Sequence, residues 1–220
     1  MALERVGDRW TLLLIRDLVG GPKRFTDLMD RMAPITPKTL SQRLRDLEND
    51  GLVAVDREAG RREVWYRLTP AGQDLVPALE ELLVWGLRYS ARPWEPGEPA
   101  HPEHLLFALR VMLDREDVQL APVVWVIRFV DDGTYVIRND DNWTVTAGDA
   151  DDPDVHVTTT RDAWARFLST PAPARSADQP DTHFEGSRRA IGAFMKAIEV
   201  FPFGRTPSRS DPTRSKAVIR

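Results

Sequence analysis

Apolar residues in the first part of the chain recur at helical spacing in three consecutive blocks. Between positions 3 and 19, Val6, Trp10, Leu13, Leu14, Leu18 and Val19 mark one face of a helix, and Gly20-Gly21-Pro22 stops it. Phe25, Leu28, Met29 and Met32 give the buried side of a second, shorter helix, and Pro34 and Pro37 bracket the turn that follows. The third helix has encoded ends. Thr36 caps it, Pro37 suits its first turn, and Gly51 closes it in the left-handed conformation. Leu40, Leu44 and Leu47 form its apolar stripe, which turns Lys38, Thr39, Ser41, Gln42, Arg43 and Arg45 toward other faces. The period then changes. Residues 52–55 and 64–68 read as two strands of a hairpin, with Gly60 and the pair Arg61-Arg62 at its tip. Thr69-Pro70-Ala71 starts a further helix carrying Leu75, Leu79, Leu82, Leu83 and Leu87, more apolar surface than a small domain needs.

A proline-dense stretch from Arg92 to Pro102 suits an interdomain connection, and beyond it the pattern is different in kind. Residues 103–114 read as a helix whose Leu105, Leu106, Leu109, Val111, Met112 and Leu113 imply burial on more than one side. Residues 123–130, 134–138, 143–146 and 155–159 read as strands. The turns Asp131-Asp132-Gly133 and Asn139-Asp140-Asp141-Asn142 make the sheet largely a meander. Thr160 caps a helix with Trp164, Phe167 and Leu168 inward, and a last helix near 185–201 offers Ile191, Phe194, Met195 and Ile198. Strands followed by helices give an α+β layer. Residues 204–220 are polar, proline-bearing and basic, and read as a flexible tail.

Composition narrows the function. The chain has 220 residues, 42% of them hydrophobic, enough for one large or two modest domains, and two is the expectation. It has no cysteine, which excludes disulfides, thiolate metal sites and thiol redox switches. No run is long enough for a membrane span, and Met-Ala-Leu-Glu-Arg lacks the apolar core of a secretory signal, so the expected location is cytoplasmic, away from any membrane. The net charge of −4 is unevenly distributed. Residues 1–70 carry 13 Lys+Arg against 11 Asp+Glu, and residues 95–200 carry 10 against 19. No phosphate-binding glycine loop, serine elbow or His/carboxylate pairing appears, so neither an enzyme nor a cofactor is expected.

Where the cations cluster, the chemistry fits DNA. The segment from Thr36 to Arg45 contains no acidic residue. Amide and guanidinium groups pair with base edges, whereas hydroxyls and lysine hold phosphates. An ordinary amphipathic surface helix has the same outline, and the neighbouring elements decide between the two. Three helices on short turns form a helix-turn-helix arrangement, with Lys23 and Arg24 placed to meet a phosphate before the second helix. The hairpin bearing Arg61 and Arg62 has the form of a wing that touches phosphate or the minor groove; a solvated turn is the alternative.

Four segments carry a resemblance. Val6-Gly7-Asp8-Arg9-Trp10-Thr11-Leu12-Leu13-Leu14, Gly21-Pro22-Lys23-Arg24-Phe25-Thr26-Asp27-Leu28, the run from Ile35 to Leu47, and Tyr66-Arg67-Leu68-Thr69-Pro70-Ala71-Gly72 resemble the HxlR family of bacterial winged helix-turn-helix regulators. The resemblance implies a homodimer, paired through the first helix and the helix after the wing, on double-stranded DNA with a pseudopalindromic operator. It implies that Thr36, Lys38, Thr39, Ser41, Gln42, Arg43 and Arg45 face DNA, with Arg61 and Arg62 on the wing. Some relatives sense oxidants through a cysteine upstream of the first helix; without one, a signal must enter this chain by another route.

The second half is similar to the sterol-carrier-protein-like fold, through the run from Asp154 to Thr160 and the later Phe184-Glu185-Gly186-Ser187. That resemblance implies an apolar tunnel for a small apolar or aromatic ligand. Trp125, Trp143, Trp164, Phe167, Phe194 and Met195 have the character to line it, although a plain core needs the same residue types. His156 has no partner at metal-ligand spacing, and the Asp149–Asp154 stretch lacks the glycine and distal glutamate of a calcium loop, so no metal is expected. The expected architecture is α+β. A winged helix-turn-helix domain occupies residues 1–92, a linker 93–102, a sterol-carrier-like domain with an antiparallel-rich sheet covered by helices 103–203, and the tail 204–220. The expected function is a homodimeric, ligand-controlled transcriptional regulator; the alternative is a DNA-tethered module whose second domain docks a protein.

Overall fold

The computed structural model describes residues 4, 6–32, 34–57, 63–90, 92–118 and 120–201. Arg61 and Arg62, expected at the hairpin tip, and the basic tail 204–220 lie outside the described residues. Contacts divide the chain into two units. One comprises residues 1–86 with 101–111, the other 87–100 with 112–220. These boundaries differ from the expected ones. Residues 101–111 belong with the helix-turn-helix instead of opening the second domain, and most of the proline-dense stretch belongs to the second unit.

In the first unit, α1 (Arg9–Val19) begins at a cap, with the Asp8 carboxylate accepting from the backbone N–H groups of Trp10 at 2.8 Å and Thr11 at 3.3 Å. β1 (Lys23–Arg24) is too short to show a period in sequence. It pairs antiparallel with β3 (Val64–Leu68), which also pairs with β2 (Val53–Arg57), giving the order β1-β3-β2. Between them lie α2 (Phe25–Arg31) and α3 (Pro37–Asn49). Gly51 takes φ +71° just after α3, the left-handed turn that a residue without a β-carbon adopts at no steric cost. Leu14, Ile15 and Leu18 of α1, Leu28 of α2, Leu40, Leu44 and Leu47 of α3, and Val53 and Leu68 of the strands close one core.

The expected helix from Thr69 is two helices, α4 (Pro70–Gln73) and α5 (Val76–Tyr89). Tertiary contact sets the break. The Thr69 hydroxyl donates to the Gly51 carbonyl at 2.6 Å, and a β-carbon on Gly72 would lie 2.2 Å from the Leu52 carbonyl oxygen, so α4 is pinned to the start of the hairpin.

Helix α6 (Pro102–Arg115) supplies its residues up to Val111 to this unit. Besides the buried Leu106, Ala108 and Leu109, it brings polar contacts. His104 Nε2 lies 2.5 Å from Asp17 Oδ1, and Arg16 Nη2 lies 3.2 Å from Asp17 Oδ2. Asp17 is only 1% exposed. Burial works against its charge, but His104 and Arg16 outweigh burial and hold its pKa below the ordinary carboxylate value. Burial likewise lowers the pKa of His104, and pushes His101 down to about 4 with help from His104 and Arg31. At neutral pH the pair is therefore a carboxylate accepting from a neutral imidazole.

In the second unit, the five-stranded sheet has the order β6-β5-β4-β7-β8. Strands β4 (Val123–Phe129), β5 (Thr134–Asn139) and β6 (Trp143–Ala147) form the expected meander. The meander ends there. β7 (Val155–Thr159) crosses to the free side of β4 and pairs with it in parallel, Trp125 opposite Val155 and Phe129 opposite Thr159. Asp154 secures the switch: its carboxylate accepts from Val124 N–H, and its own N–H donates to the Val124 carbonyl, both at 2.8 Å. The last helix starts later than expected. Glu185 lies in β8 (Thr182–Gly186), antiparallel to β7, and Ser187 caps the helix α8 (Arg188–Ala197). Gly186 has φ +147°, and a β-carbon there would come within 2.5 Å of the Asp154 carbonyl oxygen. Helix α7 (Arg161–Ser169), capped by Thr160, follows β7.

A buried cation ties the helix ends together. Arg175 donates from Nε to the Thr170 carbonyl at 2.8 Å, from Nη1 to Ile198 at 2.6 Å, and from Nη2 to Leu168 at 2.7 Å and Phe201 at 3.2 Å. Helix C-termini present carbonyls that the helix itself does not pair, and one guanidinium fork donates to four carbonyls in this region. Burial lowers its pKa to about 10, so it remains charged at neutral pH.

Two outcomes follow for stability. Arg175→Met keeps the stem but removes all four donated hydrogen bonds, and is expected to cost about 3 kcal/mol in urea unfolding of the full chain; Arg175→Lys, with fewer donors, recovers only part of that. Between pH 6.5 and about 4 the unfolded chain protonates His101 while the folded chain does not, so stability is expected to fall through that window as pH drops. Urea midpoints for wild type and His101→Asn check this, the variant showing the shallower acid slope.

Candidate nucleic-acid interface

Helix α3 spends its three leucines on the core, and its polar residues lie on the other faces, exposed or half-buried. Thr36, Lys38, Gln42 and Arg45 are exposed, and Thr39, Ser41 and Arg43 partly so. The Thr36 hydroxyl accepts from Thr39 N–H at 3.2 Å and lies 2.8 Å from the Thr39 hydroxyl. This cap fixes where the helix starts and so which residues project from its first turn.

Further along the helix the polar side chains are ordered by one another. Arg45 Nη2 donates to Gln42 Oε1 at 3.1 Å, and Gln42 Nε2 donates to Asp46 Oδ1 at 2.8 Å. A chain of donors and acceptors of this kind holds an amide and a guanidinium in a set orientation before any base arrives, which lowers the ordering cost of a bidentate contact. Arg43 is placed differently. Its Nη1 lies 3.5 Å from both Asp8 and Asp46, and its side chain is 36% exposed. Asp8 caps α1, so Arg43 braces α3 against the start of the first helix, and any outside partner would have to draw it away from those carboxylates.

The residues before α2 separate as well. Arg24 is exposed; it pairs with Asp27 and Glu63 at 3.3 Å and stacks 5.4 Å over the Trp65 ring. Lys23 departs from the expected role. Its ammonium lies 3.3 Å from Glu103 of α6 and its side chain is only 12% exposed, so a phosphate would have to displace Glu103 to reach it. Sequence reasoning missed this acid because Glu103 is distant along the chain and reads simply as a helix N-terminal residue.

The six residues expected to line a ligand tunnel sit in the second unit. Five are buried and packed ring on ring: Trp125 is 4.9 Å from Trp143 and 4.8 Å from Phe194, and Trp164 is 5.4 Å from Phe167 and 6.4 Å from Phe194. Met195 is half-buried. Trp143 donates its indole N–H to the Val118 carbonyl at 3.3 Å, whereas the buried Trp164 indole N–H has no acceptor. His156, on β7, also keeps a buried ring nitrogen, Nδ1, without a partner.

Residues 5–93 match the family described as HxlR-like helix-turn-helix. Over 98 residues the chain is 45% identical to an uncharacterized HTH-type transcriptional regulator of Mycobacterium tuberculosis, the match covering 43% of this chain and 60% of that protein. It is 38% identical over 98 residues to the HTH-type regulator YkvN of Bacillus subtilis, covering 43% of this chain and 81% of YkvN. This chain belongs to the HxlR-like helix-turn-helix family. A solved relative, the reduced form of the transcriptional regulator YodB from Bacillus subtilis, is 32% identical and covers 44% of this chain and 92% of its own, with a TM-score of 0.38. By the family match and the relatives in sequence, residues 5–93 carry the helix-turn-helix DNA-binding domain of HxlR-like transcriptional regulators. The family match ends before Pro102, so α6 and most of the second unit lie beyond it.

If α3 reads DNA as the sequence pattern predicts, Gln42 and Lys38 should respond differently to substitution. Gln42→Ala is expected to lower discrimination between a cognate and a mismatched duplex by about 1–3 kcal/mol, and Lys38→Ala to weaken all duplexes alike and flatten the salt dependence by about one unit of slope. Fluorescence-anisotropy titrations at several salt concentrations distinguish the two.

Proposed function

We propose that the chain is a sequence-specific, DNA-binding transcriptional regulator that works as a homodimer, with Thr36, Lys38, Thr39, Ser41, Gln42, Arg43 and Arg45 facing the duplex and Arg24, Arg61 and Arg62 adding phosphate or minor-groove contacts. The observation that carries this reading is the preordered polar face of α3, on a helix whose apolar residues are all spent inward. A second copy is supported by α5. Leu82, Trp85 and Tyr89 recur at spacings of three and four and stand exposed, Trp85 at 58%. Apolar residues of that size on one helical stripe suit a partner surface, and two-fold pairing there would give two recognition helices for a pseudopalindromic operator.

Control is assigned to the second unit. In this reading a small apolar or aromatic molecule carries a hydrogen-bond acceptor for the Trp164 indole N–H, which is buried without a partner and costly unless something satisfies it. To act, the molecule must favour one dimer geometry over the other, and α5 is the element through which a shift would change the spacing of the recognition helices. The close ring packing of Trp125, Trp143, Trp164, Phe167 and Phe194 favours the second reading, in which the unit is a solid module that docks a protein.

The full chain is expected to run as a dimer in light scattering and to enrich an inverted-repeat duplex from a random pool. Trp85→Glu should shift it to monomer and weaken that duplex by more than about tenfold, as expected when a charge enters the centre of an apolar interface. A monomeric wild type, or one that enriches no duplex, removes the proposal. Native mass spectrometry that finds no retained small molecule, with operator affinity unmoved by any molecule that does bind, would leave protein docking as the surviving reading of the second unit.

A further inference from the structure

Helix α6 reaches the helix-turn-helix from outside the family-matched residues, and it does so with charge. One oxygen of Glu103, Oε2, lies 3.3 Å from Lys23 Nζ and 2.9 Å from Arg31 Nη1. Lys23 precedes α2 and Arg31 is its last residue, so a single carboxylate oxygen draws in cations from both ends of that helix. The same oxygen rests against the end of α1, where a β-carbon on Gly20 would meet it at 3.4 Å. One residue on, His104 joins Asp17 of α1. The side chains of Lys23, Arg31 and Glu103 are 12, 17 and 20% exposed, so these are largely desolvated charges, and losing one partner leaves the others uncompensated.

We propose that Glu103 and His104 are positioning residues for DNA reading, holding α1 and α2 at the angle that aims α3 at base edges. α2 has seven residues and buries only Leu28 fully, so packing alone constrains its tilt weakly. α3 packs on the same leucine core as α1 and α2, so its direction follows theirs. A small change of tilt moves the far end of a thirteen-residue helix more than its buried stripe, and base contacts depend on that placement to a fraction of an ångström. Phosphate contacts tolerate it. The two kinds of contact should therefore respond differently when the clamp is loosened. This inference rests on the DNA-binding reading and adds that residues beyond the family domain set its specificity.

The test uses the full chain and a duplex selected by the wild type from a random pool, compared with a scrambled duplex of equal length. Glu103→Gln is nearly isosteric and removes the charge. It is expected to lower the ratio of selected to scrambled affinity by about fivefold, with affinity for the scrambled duplex kept or raised because Lys23 and Arg31 are released. Should Glu103→Gln fail to fold, Glu103→Asp, which keeps the charge but withdraws it by one methylene, carries the same expectation. An unchanged ratio overturns the proposal. So does a parallel loss of both affinities together with a lower unfolding midpoint, the signature of a structural role alone. A wild-type chain that selects no duplex overturns the DNA-binding reading and this proposal together, and is told apart from the other outcomes by the wild-type arm.

Discussion

The structure of the first unit depends on α3 burying one stripe and no more. Leu40, Leu44 and Leu47 are nearly solvent-free against α1, α2 and the hairpin. Each such side chain contributes roughly 2 kcal/mol by leaving water, and together they fix the rotation of the helix about its own axis. The polar residues of α3 then lie off the core by geometry, Gln42 and Arg45 exposed and Arg43 half-buried beside Asp8. No separate interaction is needed to expose Gln42 or Arg45; turning them inward would bury unpaired amide and guanidinium groups while ejecting the leucines. The contacts among Arg45, Gln42 and Asp46 refine this by limiting how the outward side chains can point.

Desolvated charge plays a different part from apolar burial. Asp17 and Arg175 are both buried, and each is surrounded by partners that match its valence: His104 and Arg16 for the carboxylate, four carbonyls for the guanidinium. Such groups add little net stability relative to an apolar replacement, but they tolerate few alternative arrangements, because any shift leaves a buried charge short of a partner. Arg175 fixes the ends of helices in the second unit. Asp17 and Glu103 fix where α6 meets the first. Apolar cores hold the elements together, and these polar contacts select one placement among several that would bury similar area.

Much of the first unit was legible because its signals are local. Helix caps at Thr36 and Thr69, the glycine after α3, leucines at spacings of three and four, and two apolar strand-length runs each act within a few residues. The candidate interface was legible for the same reason: cations, hydroxyls and an amide on one helix face are a sequence property. What escaped was the division of labour among them. Arg43 reads like Arg45 in sequence, yet it meets Asp8, thirty-five positions earlier, and Lys23 reads like Arg24, yet it meets Glu103. Long-range pairing of like-looking cations with particular acids has no local signature.

The sequence by itself determined which segments become helices and strands, which faces are apolar, and that the cation-bearing helix belongs to a helix-turn-helix, since periodicity and capping are set by neighbours along the chain. Only the tertiary structure decided that β7 pairs in parallel with β4, that Glu185 extends a strand instead of opening a helix, and that residues 101–111 join the first unit. The physical reason is common to all three. A short apolar run can pair with any strand that offers matching backbone groups, and a helix can bury its face against any complementary surface. The choice is made by contacts such as Asp154 with Val124 and Glu103 with Lys23 and Arg31, whose partners come together only when the chain is folded.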